Sequence, residues 1–304
     1  MLQPFEREDE VLSQDSFSRE ETVFNLIHTI SASPDSWRLK SSDGRMIFAQ
    51  TPGRNGWLWL DPELTEPEML ARMQELNDVL MTRATSQQAT MDRTSPEQSP
   101  PAPGLADKTL SDNASAQLPG ISAKPHIARL FADLYAGAGC WTSSMTMEAY
   151  HCPSVNPPCG VKGGMQRVEA AERYVAAEFL AGMVRDVYGK PADGQGQLTV
   201  ADNLIRDGRL FFWIGDTGEP SAMAGIGGIS PRHGRINAVY TPPDRRRRGY
   251  CSALVAEVSG LLVERGLIPM LYADCVNPDS NKVYRSIGFQ PAGKIEDIQF
   301  DSQP

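Results

Sequence analysis

The chain has 304 residues, room for about two domains at roughly 150 residues each. Apolar residues make up 40% and charged residues 22%, which excludes a wholly disordered chain. Twenty-nine basic against 38 acidic residues give a net charge of -9, which disfavours broad electrostatic capture of nucleic acid or an anionic membrane and suits an amine-bearing ligand.

In chain order, residues 19–30 read as a helix, with Val23, Leu26, Ile27 and Ile30 on one face. Three short strands follow at 37–40, 46–51 and 56–60, the first two joined by the turn signal Ser42-Asp43-Gly44. Residues 67–80 form a second amphipathic helix with Met69, Met73, Leu76 and Leu80 as its stripe, ordinary core filler rather than a cofactor box. Residues 83–118 are rich in Ser, Thr, Pro, Gln and Ala, with almost no large apolar side chains. Such a segment buries too little surface to offset its ordering entropy, so it reads as a flexible insertion. A helix at 124–135 and a strand at 140–150 complete the first half.

The second half gives helices at 169–188 and 199–207, the latter with Thr199 as its N-cap. Strands follow at 209–215, 222–229 and 235–241, then a long helix at 249–266. A strand at 270–276 is apolar on both faces, as a central strand would be. A helix at 278–287 is punctuated by Pro278 and Gly288, and 289–300 closes with one or two strands. This order gives an α/β (α+β) fold, a mixed sheet layered with helices.

No apolar run approaches the roughly 18 residues of a membrane span, and the start MLQPFEREDE has no basic, apolar leader. The five cysteines, Cys140, Cys152, Cys159, Cys251 and Cys275, read as reduced thiols, so a cytoplasmic location is expected. Cys152 and Cys159 bracket HCPSVNPPC beside His151, but the spacing is not a zinc-ribbon spacing and no second ligand pair lies nearby. His28, His126, His151 and His233 do not cluster in sequence, and no metal is expected. Gly225-Ile-Gly-Gly-Ile-Ser230 hints at a dinucleotide fingerprint but runs into Pro231 instead of a helix; its glycines fit close approach of a backbone or ligand.

The informative stretch is VYTPPDRRRRGYCSALV, residues 239–255. A strand ends, a Pro-Pro loop follows, and Gly249 opens a helix whose first N–H groups lack intrahelical partners. Arg245 to Arg248 add four cations, and together these form an anion cradle suited to a pyrophosphate. On charge alone a solvated basic turn fits equally well. The order of residues resembles the acetyl-CoA-binding motif of the GCN5-related N-acetyltransferases (GNAT), Arg/Gln-x-x-Gly-x-Gly/Ala, with Arg246, Gly249 and Cys251 at the matching positions. Downstream, NPDSNKVYRSIGF at 277–289 is similar to the second cofactor motif of that superfamily.

The resemblance implies acetyl-CoA as co-substrate, seated in a V between the strands at 235–241 and 270–276. The backbone of Val239 and Tyr240 would pair with the pantetheine arm. Arg246, Arg247, Arg248, Gly249, Tyr250, Cys251 and Ser252 would hold the pyrophosphate. Asn277 and Asn281 would lie near the pantetheine and sulfur. Tyr284 would be the general acid that protonates the departing thiolate; its alternative is a helix aromatic packed in the core beside Val283 and Ile287. Two departures stand out: Arg247 occupies a position where related loops often have Gly, and Cys251 replaces Gly or Ala. The Cys251 thiol could form a mixed disulfide with oxidised CoA.

An attacking amine must first lose a proton. Asp274, near the end of its strand and sharing a face with Tyr272 and Val276, is the first candidate base, with capping or pairing to an Arg as its alternative role. Asp216, Glu296 and Asp297 are reserves, and a water chain is a further option. The resemblance covers about 163–304. It implies a C-terminal GNAT domain at 161–304, a degenerate GNAT-like domain at 1–82 and 119–160 that lacks the Arg-rich loop, and the insertion between them. The expected function is transfer of an acyl group, acetyl first, from CoA to the primary amine of a small molecule or peptide. The alternative is an acyl-CoA-binding sensor or scaffold without turnover. The oligomeric state is left open.

Overall fold

Segments 46–49 and 56–60 are apolar throughout, and the strands they form, 46–50 and 56–60, are buried on both faces. The computed structural model describes residues 1–93, 118–189 and 191–301. The chain divides into two units, Met1–Thr146 with Ile295–Pro304, and Met147–Lys294. The elements in order are β1 (Leu2–Pro4), α1 (Asp15–Arg19), α2 (Asn25–Ser31), β2 (Trp37–Ser41), β3 (Met46–Gln50), β4 (Gly56–Leu60), α3 (Glu66–Arg93), β5 (Gly120–Ala123), α4 (Pro125–Ala136) and β6 (Trp141–His151). They continue as β7 (Gly164–Arg167), α5 (Arg173–Tyr188), α6 (Gly194–Arg206), β8 (Leu210–Ile214), β9 (Pro220–Ile229), β10 (His233–Tyr240), α7 (Tyr250–Glu264), β11 (Ile268–Asp274), α8 (Pro278–Ile287) and β12 (Gln290–Phe300). The order β-α-α-β-β-β-α-β-α-β thus occurs twice.

In the first unit, β1 to β4 form an antiparallel ladder, β4 pairs parallel with β5, and β5 pairs antiparallel with β12. In the second, β7 to β10 form the antiparallel ladder, β10 pairs parallel with β11, and β11 pairs antiparallel with β6. The last strand of each ten-element series therefore pairs in the other unit. The division expected at 160/161 falls instead at 146/147, and β12 carries Ile295 onward into the first unit.

Each sheet alternates its side chains between two faces. In the second unit, Ile226, Ile236, Leu271 and Ala273 pack with Leu254, Val255 and Val258 of α7 on one face. Phe212, Met223 and Ala238 pack with Phe179 and Leu180 of α5 on the other. In the first, Phe48, Leu58 and Ile298 pack with Met73 and Leu76 of α3 and Phe131 of α4.

Several boundaries differ from expectation. The helix expected at 19–30 is two, α1 and α2, with turns at 20–24 where the β-branched pair Thr22-Val23 weakens helix propensity. The helix α6 begins at Gly194, ahead of Thr199, because the Asp193 carboxylate caps it, accepting from the Gln195 and Gly196 N–H groups at 3.2 and 2.9 Å. The short strands β1, β5 and β7 were not expected; each draws its order from pairing with a distant strand. The helix α3 continues to Arg93, into the stretch read as a spacer from residue 83; residues 94–117 of that stretch lie outside the described residues.

Candidate active site

Every residue assigned to the expected cofactor site lies in the second unit. Parallel pairing of β10 and β11 covers His233↔Ile268, Gly234↔Pro269 and Arg235↔Met270. Beyond that point β10 stays paired to β9 as far as Tyr240, and β11 stays paired to β6 as far as Asp274. The facing edges of residues 236–240 and 271–274 therefore leave backbone groups free for an extended ligand. A bulge between Asn237 and Tyr240, with Ala238 at φ 51°, interrupts the β9 ladder beside this opening, and the Val239 and Tyr240 side chains pack in the cores on either side.

At the mouth of the opening, Gly249 is the N-cap of α7, with φ 81° and ψ −3°. A Cβ there would meet Val161 Cγ2 at 2.9 Å, so both backbone conformation and space call for glycine. The first hydrogen bond of the helix runs from Ala253 N–H to Gly249 O at 3.0 Å, which leaves the N–H groups of Tyr250, Cys251 and Ser252 without intrahelical partners. No side chain caps this end. Arg247 sits at φ 62°: the backbone takes up the left-handed conformation that Gly would favour, with an arginine in place.

The four arginines divide into two pairs. Arg245 bonds to Glu219 at 2.9 Å and donates to Pro220 O. Arg246 donates to Thr241 O at 2.9 Å, pairs with Asp186 of α5, and lies over the Tyr240 ring. Arg247 and Arg248 are exposed and make no ion pair among the described residues. The cradle thus offers two uncommitted cations, not four. Tyr250 is a core residue whose hydroxyl donates to Asp216 at 3.3 Å, so its contribution at the helix start is its N–H group.

Just past the end of β11, Asn277 caps α8, accepting from Ser280 N–H at 3.2 Å. Asn281 Nδ2 donates to Asp274 O at 2.9 Å and Asn277 O at 2.8 Å. That fixes the amide's orientation and leaves Oδ1 buried without a partner. Asp274 Oδ1 accepts from Val276 N–H at 3.0 Å, because β11 ends at Asp274 and turns there; Val276 is 83% exposed. Of the reserve carboxylates, Glu296 and Asp297 belong to the first unit. Glu296 holds Arg129 at 2.9 and 3.2 Å, and Asp297 accepts from Ser122 at 2.5 Å.

Tyr284 is 8% exposed and packs against Tyr150 and Phe289. Its hydroxyl makes no hydrogen bond among the described residues. Burial, and secondarily the Cys251 thiol, push its pKa well above the ordinary tyrosine value. Burial also pushes the Cys251 thiol up to about 11, which leaves little thiolate at neutral pH and disfavours a mixed disulfide with CoA. His151 and His233, distant in sequence, come close together: His151 titrates lower through burial and then through the nearby His233. Sequence reasoning also missed Val161 against Gly249, and Asp186 and Glu219 on the arginines; these depend on contacts across the fold and leave no local signal.

The corresponding turn of the first unit, between β4 and α3, carries no basic residue. Glu68 accepts from Thr65 N–H and Oγ1, both at 2.7 Å, and Asp61 accepts from Glu63 N–H at 2.8 Å. Its own carboxylates are turned onto the chain just ahead of the helix and onto Arg45, so this turn has no cations like Arg247 and Arg248.

A family model described as FR47-like protein matches residues 216–296. Among solved structures, a GNAT-family acetyltransferase from Colwellia psychrerythraea aligns over 99% of this chain and 100% of its own, at 14% identity and TM-score 0.53. A GCN5-related N-acetyltransferase from Sphaerobacter thermophilus aligns over 100% and 96%, at 12% identity and TM-score 0.57. A Drosophila protein aligns over 98% of both chains, at 14% identity and TM-score 0.59. No curated protein matches the sequence. The chain therefore has the fold of the GNAT acetyltransferases, and its FR47-like stretch spans β9 to the start of β12, where the opening and the arginine loop lie.

Proposed function

We propose that this protein is an acyl-CoA-dependent N-acyltransferase, with acetyl-CoA as donor and a primary amine as acceptor. The observation that carries the reading is the opening between β10 and β11, which begins at Arg235↔Met270 and faces the uncapped start of α7. Pyrophosphate oxygens would accept from the N–H groups around Gly249 to Ser252 and from Arg247 and Arg248. The pantetheine amides would pair with the Val239 and Tyr240 backbone. Asn281 Oδ1, buried and unpartnered, would accept from a pantetheine N–H, with Asn277 beside it.

In the reaction the amine nitrogen attacks the thioester carbonyl carbon, whose developing oxyanion is met by strand N–H groups. The C–S bond then breaks, the thiolate takes a proton from the Tyr284 hydroxyl, and the tyrosine regains one through solvent from the proton that the amine gives up. Asp274 Oδ2, which accepts no hydrogen bond among the described residues, receives the proton lost by the amine, directly or through water. The first unit, with its carboxylate-filled turn, is a degenerate GNAT-like half in this reading. The protein acts in the cytoplasm, without a metal, nucleic acid or membrane partner.

The test is CoA release from acetyl-CoA in the presence of an amine panel. Tyr284→Phe should retain acetyl-CoA binding and lose most of the transfer. If acetyl-CoA binds and no amine is acetylated by the native chain, the protein is an acyl-CoA-binding module.

A further inference from the structure

On β10, Gly234 abuts Leu262 of α7, and Ile236 packs in the same core, so Arg235 and Asn237 project from the opposite face. On β11, Leu271 and Ala273 face α7, which places Tyr272 and Asp274 on that same opposite face. Asn237 lies over Gly225 and Gly227 of β9, where the absent side chains leave it room. Two features of this face are unsatisfied. The half-buried side chain of Arg235 makes no hydrogen bond or ion pair among the described residues, and its Nε is buried without a partner. Asn237 Oδ1 is likewise buried without a partner. The ionisable side chain that bears on Arg235 is Tyr272, a phenol and not a carboxylate.

The Arg235 side chain is half-buried, and a guanidinium held on a polar face with no carboxylate beside it is placed to take an anion from solvent. Arg235 is level with Met270 across the parallel pair. Asp274 is therefore four residues further along the same face, about 13 Å at roughly 3.3 Å per residue. Asn237 stands between the two levels.

We propose that the acceptor is an aminocarboxylate, its carboxylate paired with Arg235, its chain passing Asn237 Oδ1, and its amine directed toward Asp274 and the thioester. The cation and the carboxylate on one face match the two charges of such a zwitterion, and the fork of Arg235 is suited to bidentate carboxylate recognition. This rests on the acyltransferase reading for the direction of the amine, whereas the carboxylate site stands on Arg235 alone.

The test uses the full chain loaded with acetyl-CoA. The probes are ω-aminocarboxylates from glycine to 6-aminohexanoate, each titrated beside its carboxamide. The native chain should bind at least one acid about tenfold or more tightly than its amide, in line with a charge-assisted hydrogen bond. Arg235→Met should bring that ratio to about one, and Arg235→Lys should retain part of it. The melting temperature of unliganded Arg235→Met should hold, because the side chain gives up no ion pair or hydrogen bond among the described residues. Acids and amides binding alike or not at all, a preference that survives in Arg235→Met, or a variant that melts far lower would each overturn the proposal. Acids that bind without being acetylated would retain the carboxylate site and sink the acyltransferase reading. Amines acetylated irrespective of a carboxylate would do the reverse.

Discussion

Replacing Gly249 with Ala isolates what the start of α7 requires. At φ 81° an L-residue is strained by about 1–2 kcal/mol. The new Cβ would also stand 2.9 Å from Val161 Cγ2, an overpacking worth about 1 kcal/mol. Loss of glycine's freedom in the unfolded chain returns about 0.4–1 kcal/mol, so the net destabilisation is about 2 kcal/mol. Native-state hydrogen exchange of the α7 amides reads this locally, and their protection should fall about 30-fold. Val161→Ala in the same chain removes the clash and leaves the strain, so the double variant should recover about 1 kcal/mol relative to additivity. A neutral Gly249→Ala, or full recovery in the double variant, would refute the reasoning: the first denies that the left-handed conformation is held, the second that it carries a cost.

Three further outcomes follow from the site and the fold. Tyr284→Phe keeps the ring that packs on Tyr150 and Phe289, so stability should hold while turnover falls by about 10²–10⁴-fold. Because burial raises the Tyr284 pKa, the hydroxyl stays protonated as pH rises through the ordinary tyrosine range, and the native rate should show no loss from this group up to pH 10. Arg248→Gln should weaken acetyl-CoA binding several-fold at low salt and less at high salt, whereas Arg245→Gln, already paired to Glu219, should change it little by charge. Expression of residues 161–304 alone removes Met147–His151, the partner of β11 across five residue pairs, and should give a poorly folded, aggregating product in circular dichroism and gel filtration.

The second unit was largely legible because its punctuation is local. The Pro-Pro loop, Gly249, Pro278 and Gly288 each mark a boundary through their own backbone constraints, and α7, β11 and α8 fall close to where these residues place them. The uncapped start of α7 and the polar residues of α8 followed from the same order. What could not be read depends on contacts between distant residues. The pairing of β6 with β11 and of β12 with β5 has no counterpart in the periodicity of any strand. The commitment of Arg245 to Glu219 and of Arg246 to Asp186 spans 26 and 60 residues. The start of α6 was missed because Gly194 and Gly196 read as loop, and only the Asp193 carboxylate on their side of the helix reverses that preference. Arg235 attracted no notice in a strand of mixed composition, since a half-buried guanidinium without a counter-charge is a property of the folded sheet alone.

Calorimetric titration of the full chain with acetyl-CoA tests the central claim most directly. Micromolar binding at one site per chain, weakened by Arg248→Gln and Asn281→Ala, is the expected result. Two sites would contradict the reading of the first unit's carboxylate-filled turn, and no binding at millimolar cofactor would contradict the acyltransferase itself.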